Sequence, residues 1–175
     1  MSGKVVHIFI SFNEGEPMQK LQKVKAIEHL GLEGDRYAGE RGAWSKSRRK
    51  VIRQVSLIEQ EAILRTSFLP NETRRNIVVS NFSLNDLIGK EFMVGSVRMR
   101  GVELCDPCQR PSKLAGKPDF EECFSGHGGL RAEILNTGIV LIGSNISTET
   151  YSCQICGTTT AFPHVCPAFY PELRS

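Results

Sequence analysis

The residues in this chain best suited to chemistry are cysteines in two Cys-x-x-Cys pairs. The first pair, Cys105 and Cys108, ends the strand-like run GVELC, and the second pair, Cys153 and Cys156, lies near the carboxyl end of the sequence. Two such pairs could form a four-cysteine zinc site, because tetrahedral zinc takes each pair as a two-thiolate ligand. Compact zinc modules bring their pairs within about 15 to 20 residues. The much longer separation here argues against one shared site.

The second pair belongs to a segment of different composition. Residues 148–175 are rich in cysteine and proline and have no sustained hydrophobic period. We therefore predict a domain over residues 1–147 and a Cys/Pro-rich tail over residues 148–175. A zinc site is possible within the tail, with Cys153, Cys156, His164 and Cys166 as its ligands. The alternative is that these tail cysteines have no joint role.

The first pair has a setting that favours one reactive thiolate. It follows a strand, contains Pro107 and is flanked by Arg110. A redox dithiol usually opens a helix, whereas Pro111 and the turn-rich sequence after it predict none here. A cysteine held by proline near arginines suits a nucleophile, a sulfur carrier or a soft-metal ligand. Two ordinary buried cysteines remain the alternative, since free cysteine is commonly found in protein cores.

Composition restricts the class of protein. The chain has 175 residues, of which 40% are hydrophobic and 23% charged, as in one globular domain. No apolar run is long enough for a membrane span, and the net charge of +3 is too small to imply nucleic-acid binding. The amino-terminal segment resembles a strand more than a signal peptide. We therefore expect a cytoplasmic protein with reduced cysteines and neither a nucleic-acid nor a membrane partner.

The pattern of elements predicts a mainly β protein. Residues 4–12 form the first predicted strand, residues 18–30 fit either a helix or a strand, and residues 31–44 form a glycine-rich loop. The clearest predicted helix begins at Ser56, because Ser56 and Glu59 have capping-box spacing, and it ends before proline 70. A second, short helix is predicted over residues 83–89.

Most later segments are predicted strands. They cover residues 74–81, 90–95, 96–105, 130–135 and 139–143. The turn Asn136, Thr137 and Gly138 predicts that the last two strands form a hairpin. A barrel with one definite helix and several glycine-rich loops fits this order better than a doubly wound sheet.

The ordered motifs resemble one family. GLEGDRYAG, RQVSLIEQE, RRNIVVSN, LNDLIGKEFMVGSVRMRGVELCDPC and GHGGLRAEILNTGIVLIGSNI occur in this order between residues 4 and 146. Together they resemble the MOSC domain, which is named for the C-terminal domain of molybdenum-cofactor sulfurase. The resemblance implies a pyruvate-kinase-barrel-like β-barrel with a few peripheral helices.

The resemblance also implies a site. The cysteine expected in this family corresponds to Cys108, whose thiolate would be the molybdenum ligand and the catalytic residue. Contacts with the molybdenum cofactor, molybdopterin, would come from Arg53, Gln54, Ser56, Arg74, Asn76, His127, Gly128 and Arg131. Guanidinium and amide groups suit the phosphate and the polar pterin of that cofactor.

Several of these positions also have structural interpretations. Ser56 could serve only as a helix cap, and His127 could be structural. Arg53 and Gln54, with Ser56, would lie at the mouth of the predicted helix, where free N–H groups attract an anion. Asp35 and its neighbour Arg36 are expected to shape the pocket.

The resemblance, taken with the cysteine pattern, implies three alternative functions. The first is a molybdenum-cofactor-binding protein that reduces N-hydroxylated compounds with electrons from a separate partner. The second is a sulfur carrier that receives a persulfide on Cys108 from a sulfur-donor protein. The third is a zinc-stabilised interaction module that acts through the tail. The family is also associated with pyridoxal phosphate, but a pyridoxal-phosphate-dependent sulfurase domain does not fit in 175 residues. We therefore expect a stand-alone domain, and it departs from the family pattern by carrying Ser144 in place of an aspartate.

Overall fold

The computed structural model describes residues 2–39 and 53–148, with the backbone of residues 151–152 and 159–160. The mainly β prediction is confirmed, as the strands show. They are β1 (Ser2–Ile10), β2 (Gln19–Leu21), β3 (Lys23–Ile27), β4 (Gly31–Leu32), β5 (Val55–Glu59), β6 (Ile77–Ser80), β7 (Glu91–Val94), β8 (Val97–Leu104), β9 (Leu130–Ile134), β10 (Gly138–Leu141), β11 (Asn145–Ser147), β12 (Tyr151–Ser152) and β13 (Thr159–Thr160). The proposed zinc ligands Cys153, Cys156, His164 and Cys166 lie outside the described residues.

Strands of the main sheet close into a barrel. Within the described ranges the order is β11-β7-β8-β9-β5-β6-β1, and β1 pairs with β11 to complete the ring of seven. The β5–β6 pair is parallel and the remaining pairs of the ring are antiparallel. Closure leaves no free edge in the ring, which is how a barrel satisfies all its ladder hydrogen bonds.

The segment that the sequence left open between helix and strand forms β2 and β3. Strand β2 extends the main sheet beside β1, and β3 lies between β10 and β4 in a second sheet. In β3, buried Val24 and Ala26 alternate with exposed Lys23 and Lys25. This period of two is that of a strand with one covered face.

The predicted hairpin between residues 130–135 and 139–143 is wrong. Strand β9 pairs with β8 and β5, whereas β10 pairs with β3. The turn residues bond to other parts of the chain: Asn136 Oδ1 accepts from Arg98 N at 2.6 Å, and Thr137 Oγ1 accepts from Glu28 N at 3.1 Å. These long-range contacts override the local turn signal.

The predicted helix at Ser56 is also wrong, because Ser56 lies in the middle of β5. Only a short helix, α1 (Gln60–Ile63), follows the strand. The Glu59 carboxylate accepts from Leu84 N at 2.8 Å, so its partner is not the Ser56 N–H of a capping box. Pairing with both β6 and β9 buries Leu57 completely, and this tertiary gain outweighs a local capping signal.

Two further α-helices are described that the sequence did not predict, α2 (Gln109–Ala115) and α3 (Phe120–Cys123). Helix α2 begins immediately after Cys108 and carries Pro111 in its first turn, where a missing N–H costs little. Short 3-10 helices cover Pro70–Thr73 and Asn85–Leu87, and the second replaces the helix predicted over residues 83–89.

Apolar side chains fill both sides of the β5 region. The barrel interior is occupied by fully buried residues that include Leu57, Ile77, Phe92 and Leu130. A second cluster on the outer face contains Ile58, Val78, Phe68, Phe120 and Phe124. The Phe68 ring lies 5.1 Å from that of Phe120 and 5.8 Å from that of Phe124, both edge-to-face, so aromatic packing fixes α3 against the segment that follows α1.

No helix within the described residues is long and apolar enough to cross a membrane.

Candidate functional site

A cleft of about 750 Å³, which includes space open to solvent, lies beside β5 and β9. Its wall includes Ser56 and Arg131, which are cross-strand neighbours. Leu57 and Leu130, one position along, are buried in the barrel interior. Because side chains alternate along a strand, Ser56 and Arg131 line the cleft from the outer face of this pair, and the cleft also reaches Val55 of the interior cluster.

The cleft has an unusual lining for one concavity. Its basic residues, within the part of the chain that the structure describes, are Arg36, Arg53, Arg74, Arg75, Arg110 and Arg131. The same cleft contains both thiols of the first pair, Cys105 and Cys108, with Asp106 between them. Such a concentration of guanidinium groups favours an anionic ligand, and the thiols favour a soft metal or sulfur chemistry.

The two cysteines are not equivalent. Cys105 is 3% exposed, and its backbone N–H donates to Gly129 O at 2.7 Å. Cys108 is exposed, has extended backbone angles (φ −143°, ψ 164°) and immediately precedes α2. Of these two cysteines, Cys108 therefore presents its thiol where a ligand can approach from solvent, and Cys105 does not.

Two glycines fix the backbone that carries Cys105. A Cβ atom at Gly128 would lie 2.0 Å from Cys105 O, and one at Gly129 would lie 2.1 Å from Leu57 O. Gly129 also has a φ of +98°, which disfavours other residues. The Arg75 side chain donates from Nε to Gly128 O at 2.7 Å. The GHGG segment thus supports the cysteine loop through close backbone contact.

A buried polar network holds the wall behind the arginines. Asp35 is 1% exposed, and its carboxylate accepts from Ser11 N and Asn76 Nδ2 at 3.1 Å and from Arg36 Nη1 at 3.3 Å. Asn76 Oδ1 accepts from Ser56 Oγ at 2.9 Å, and Asn76 Nδ2 also donates to Phe9 O at 3.1 Å. Every polar atom of the Asn76 side chain is engaged, so the network joins β1, β5 and the start of β6.

The cleft arginines are held by partners that only partly balance their charge. Arg36 pairs with Asp35 and stacks over the Tyr37 ring, 4.9 Å from its centroid. Arg131 pairs with Glu103 and Arg110 pairs with Glu14.

Arg74 contacts a neutral group, since it donates to the backbone carbonyl of Glu16. Burial, followed by repulsion from Arg36 and Arg110, lowers the pKa of Arg74 from 12.5 to about 10. Arg74 also has φ +63°, a strained angle for a residue with a side chain. The charged form and the backbone conformation of Arg74 are therefore both energetically unfavourable, as is common in binding sites.

The residues expected to contact a cofactor divide into two groups. Those that line the cleft are Arg53, Ser56, Arg74, Asn76, Cys108 and Arg131. The residues Gln54, His127 and Gly128 are not part of the lining. Gln54 Oε1 accepts from Ile134 N at 2.7 Å, and His127 is exposed beyond α3. The expected position of Arg53 and Ser56 at a helix mouth is wrong, because β5 replaces that helix.

Other lining residues were not expected to bind a ligand. Arg75 and Arg110 are sequence neighbours of expected site residues, so adjacency could have indicated them. Glu14 and Tyr37 reach the cleft from separate loops near the amino end. Their approach depends on barrel closure, and no local pattern indicates it.

No group of three or more His, Cys, Asp or Glu side chains in residues 2–39 and 53–148 is arranged to hold a metal ion. The cleft offers the exposed thiol of Cys108 and a surrounding cluster of guanidinium groups. This donor set suits a metal that brings most of its own ligands within an anionic organic group. It does not suit a bare ion, which would need several protein ligands.

Known proteins share this fold. The chain is similar to the crystal structure of the YuaD protein from Bacillus subtilis, with a TM-score of 0.67, 20% identity and coverage of 83% of this chain and 94% of that one. It is also similar to YiiM from Escherichia coli (TM-score 0.62, 14% identity, 83% and 68% covered). For YiiM from Geobacillus stearothermophilus the values are 0.60, 13%, 82% and 73%.

The sequence comparisons identify the family. No curated protein matches the chain. The MOSC domain model matches residues 44–149, which is more than half of the sequence and includes most of the cleft. The chain therefore belongs to the MOSC domain family.

Proposed function

We propose that the cleft binds a molybdenum cofactor, with the Cys108 thiolate as the protein ligand to the metal. The observation that carries the proposal is the exposed Cys108 thiol in the same concavity as the arginine cluster. A thiolate is a suitable ligand for a soft metal, and guanidinium groups bind phosphate through paired hydrogen bonds. When bound, the cofactor would supply redox chemistry.

The chain's own residues would bind and orient this group. Arg53, Arg74 and Arg131 would hold the phosphate, and Arg36, in the loop after β4, and Arg110, in α2, would add charge. The Ser56 hydroxyl and the Tyr37 ring would contact the polar ring system. Cys108 would have to lose its Sγ proton, since thiols ligate metals in the deprotonated form. The extended backbone before α2 would keep that sulfur facing solvent and the ligand.

The activity we propose is reduction of N-hydroxylated compounds with electrons delivered by a separate protein. The cleft is open, so a small substrate could reach the Cys108 side. An electron donor would have to approach the same open face. The assignment rests on the family and on the cleft chemistry together.

A second candidate is a sulfur carrier in which Cys108 holds a persulfide. The asymmetry of the pair favours it, because Cys108 is accessible to a sulfur donor while Cys105 is shielded. The nearby guanidinium groups would stabilise the anionic terminal sulfur. The third candidate, a zinc module in the tail, stays a prediction from sequence.

Metal and pterin analysis tests the first candidate. The full chain would be purified from a host that makes molybdenum cofactor, as wild type and as Cys108→Ala, Cys105→Ala and Cys123→Ala. Cys123 is exposed but does not line the cleft, so it controls for the loss of a surface thiol. We expect Cys108→Ala to lose most of the molybdenum and Cys123→Ala to keep it.

The outcomes separate the candidates. Full molybdenum in Cys108→Ala would reject Cys108 as the ligand. Wild type without molybdenum, but with one extra sulfur atom on Cys108 by mass spectrometry, would favour the sulfur carrier. One zinc per chain that is lost on changing Cys153 or Cys156 would favour the tail module.

A further inference from the structure

The loop after β1 brings a carboxylate into the basic cleft. Ser11 Oγ donates to Asn13 O at 2.8 Å and to Glu16 O at 3.2 Å, which closes the loop on itself. The Glu16 carboxylate accepts from Asn13 N and Nδ2 at 3.2 and 2.8 Å. Glu16 is therefore used to hold the loop, whereas Glu14 points to the cleft and lines it.

The Glu14 carboxylate pairs with Arg110, 96 positions away in the sequence. Arg110 lies in α2, two residues after Cys108. The Glu14 and Arg110 side chains are 46% and 41% exposed, so an ion from solvent can reach the guanidinium group. An exposed ion pair of this kind contributes little to stability and can be exchanged for a better partner.

Arg110 is close enough to other cleft cations to act with them. Repulsion from Arg110 and from Arg36 contributes to the lowered pKa of Arg74, so the three guanidinium groups interact electrostatically. Arg74 has a backbone carbonyl as its hydrogen-bond acceptor and Arg110 has the Glu14 carboxylate. An anion that binds Arg110 would therefore also be attracted by the positive charge of Arg74.

We propose that Glu14 is an internal competitor of the cleft, a carboxylate that occupies Arg110 until a ligand phosphate displaces it. A phosphate group carries a charge of about −1.5 to −2 and three strong acceptor oxygens, so it binds several guanidinium groups better than a carboxylate does. A monoanion has no such advantage over Glu14. Glu14 therefore lowers the affinity of every anion that needs Arg110 by the same factor, and a phosphate-bearing ligand, which contacts several guanidinium groups, keeps enough affinity to displace it.

The inference extends the proposed function, because it rests on the cleft receiving a phosphate-bearing ligand. It requires no molybdenum, and inorganic pyrophosphate can serve as the probe. Calorimetric titration of the full chain would compare wild type, Glu14→Gln, Arg110→Gln and the double variant. Glu16→Gln is the matched control, since it removes the same charge from the same loop without touching Arg110. Glu14→Asp keeps the charge on a shorter side chain.

We expect Glu14→Gln to bind pyrophosphate about two- to fivefold more tightly, the effect of an exposed ion pair. Arg110→Gln should bind more weakly, and in that background Glu14→Gln should bring no gain. Acetate should bind far more weakly than pyrophosphate to every form, and its affinity should rise by the same factor in Glu14→Gln, because it displaces the same competitor. Glu14→Asp should remain close to wild type.

Three results would overturn the inference and leave the phosphate site in place. An unchanged pyrophosphate affinity in Glu14→Gln is the first, and an equal gain in Glu16→Gln is the second. A gain that persists without Arg110 is the third. If neither wild type nor any variant binds pyrophosphate, the cleft has no phosphate site and both this inference and the phosphate part of the proposed function fail. Pyrophosphate binding with no effect of Glu14 would reject the inference alone.

Discussion

The inner face of β5 and β9 and the part of their outer face that lines the cleft have opposite chemistry. On the inner face Leu57 and Leu130 are fully buried in the barrel. On the outer face their strand neighbours Ser56 and Arg131 line the cleft. The inner face lowers the free energy of folding by burying apolar area. The outer face gathers like charges, which opposes folding, so the barrel interior provides the stability that holds the cleft together.

The largest predicted effect tests the inner face. Leu57→Ala should lower the free energy of unfolding by about 2–5 kcal/mol, because it leaves a cavity in a fully buried position. Urea denaturation would measure this loss. Leu64→Ala is the control, since Leu64 is 74% exposed and should change the free energy by less than about 0.5 kcal/mol. Equal losses in the two variants would contradict the assignment of the inner face.

The next largest predicted effect concerns Gly128, which packs against the backbone of Cys105. Gly128→Ala should cost about 1–3 kcal/mol, because the added methyl group would overlap Cys105 O. It should also displace the loop that carries Cys105 and Cys108. Alkylation of the Cys108 thiol should then be slower, or ligand binding at Cys108 should change. Gly138→Ala is the comparison, because the nearest atom to its Cβ would be a Val97 side-chain carbon at 3.0 Å, a far smaller overlap than 2.0 Å. A smaller cost for Gly128→Ala than for Gly138→Ala would contradict the close packing.

Removal of the cleft cation Arg74 should raise the free energy of unfolding, whereas the two preceding substitutions should lower it. The folded pKa of Arg74, about 10, lies below its ordinary 12.5, so the charged form is disfavoured by folding. This penalty is fully present below pH 10 and is relieved as the pH rises towards the unfolded value. Arg74→Gln should therefore raise the free energy of unfolding by about 0.5 kcal/mol at neutral pH. Pyrophosphate should raise the melting temperature of wild type and have a smaller effect on the variant.

The outcome that would contradict this prediction is a loss of more than about 1 kcal/mol in Arg74→Gln. Such a loss would mean that the bond to Glu16 O outweighs the repulsion within the cleft.

The smallest effect concerns a histidine away from the cleft. Burial, with a lesser contribution from Lys20, lowers the pKa of His7 from 6.5, and His7 Nδ1 is buried without a hydrogen-bond partner among the described residues. The unfolded chain takes up a proton first as the pH falls below 6.5, so stability decreases from there down to the folded pKa. His7→Phe should remove a few tenths of a kcal/mol of this acid sensitivity, as measured by urea midpoints. Lys20→Gln should keep most of it.

The fold was more predictable from sequence than the site. Alternation and ordered motifs identified the barrel because strands such as β3, β7 and β9 bury one face with period two. The hairpin at Asn136 and the helix at Ser56 were wrong for one reason: local turn and capping signals were outweighed by pairing with distant strands. Helix α2 was missed because Pro111 suggested a break, although it lies in the first turn, where proline is tolerated.

The site was only partly accessible from sequence. Cys108 and Arg74 carry local motifs and were expected, and both line the cleft. The roles of Asp35 and Asn76 in one buried network depend on contacts between residues 41 positions apart. Glu14 meets Arg110 only after the barrel closes, so no short-range pattern could indicate their pairing.

The most direct test of the central claim is an anomalous diffraction map at the molybdenum edge, from crystals of protein purified from a cofactor-competent host. The account predicts a molybdenum peak within bonding distance of Cys108 Sγ, with phosphate density against Arg74 and its neighbouring arginines. A molybdenum peak elsewhere, or one bonded to Cys105 in place of Cys108, would contradict it.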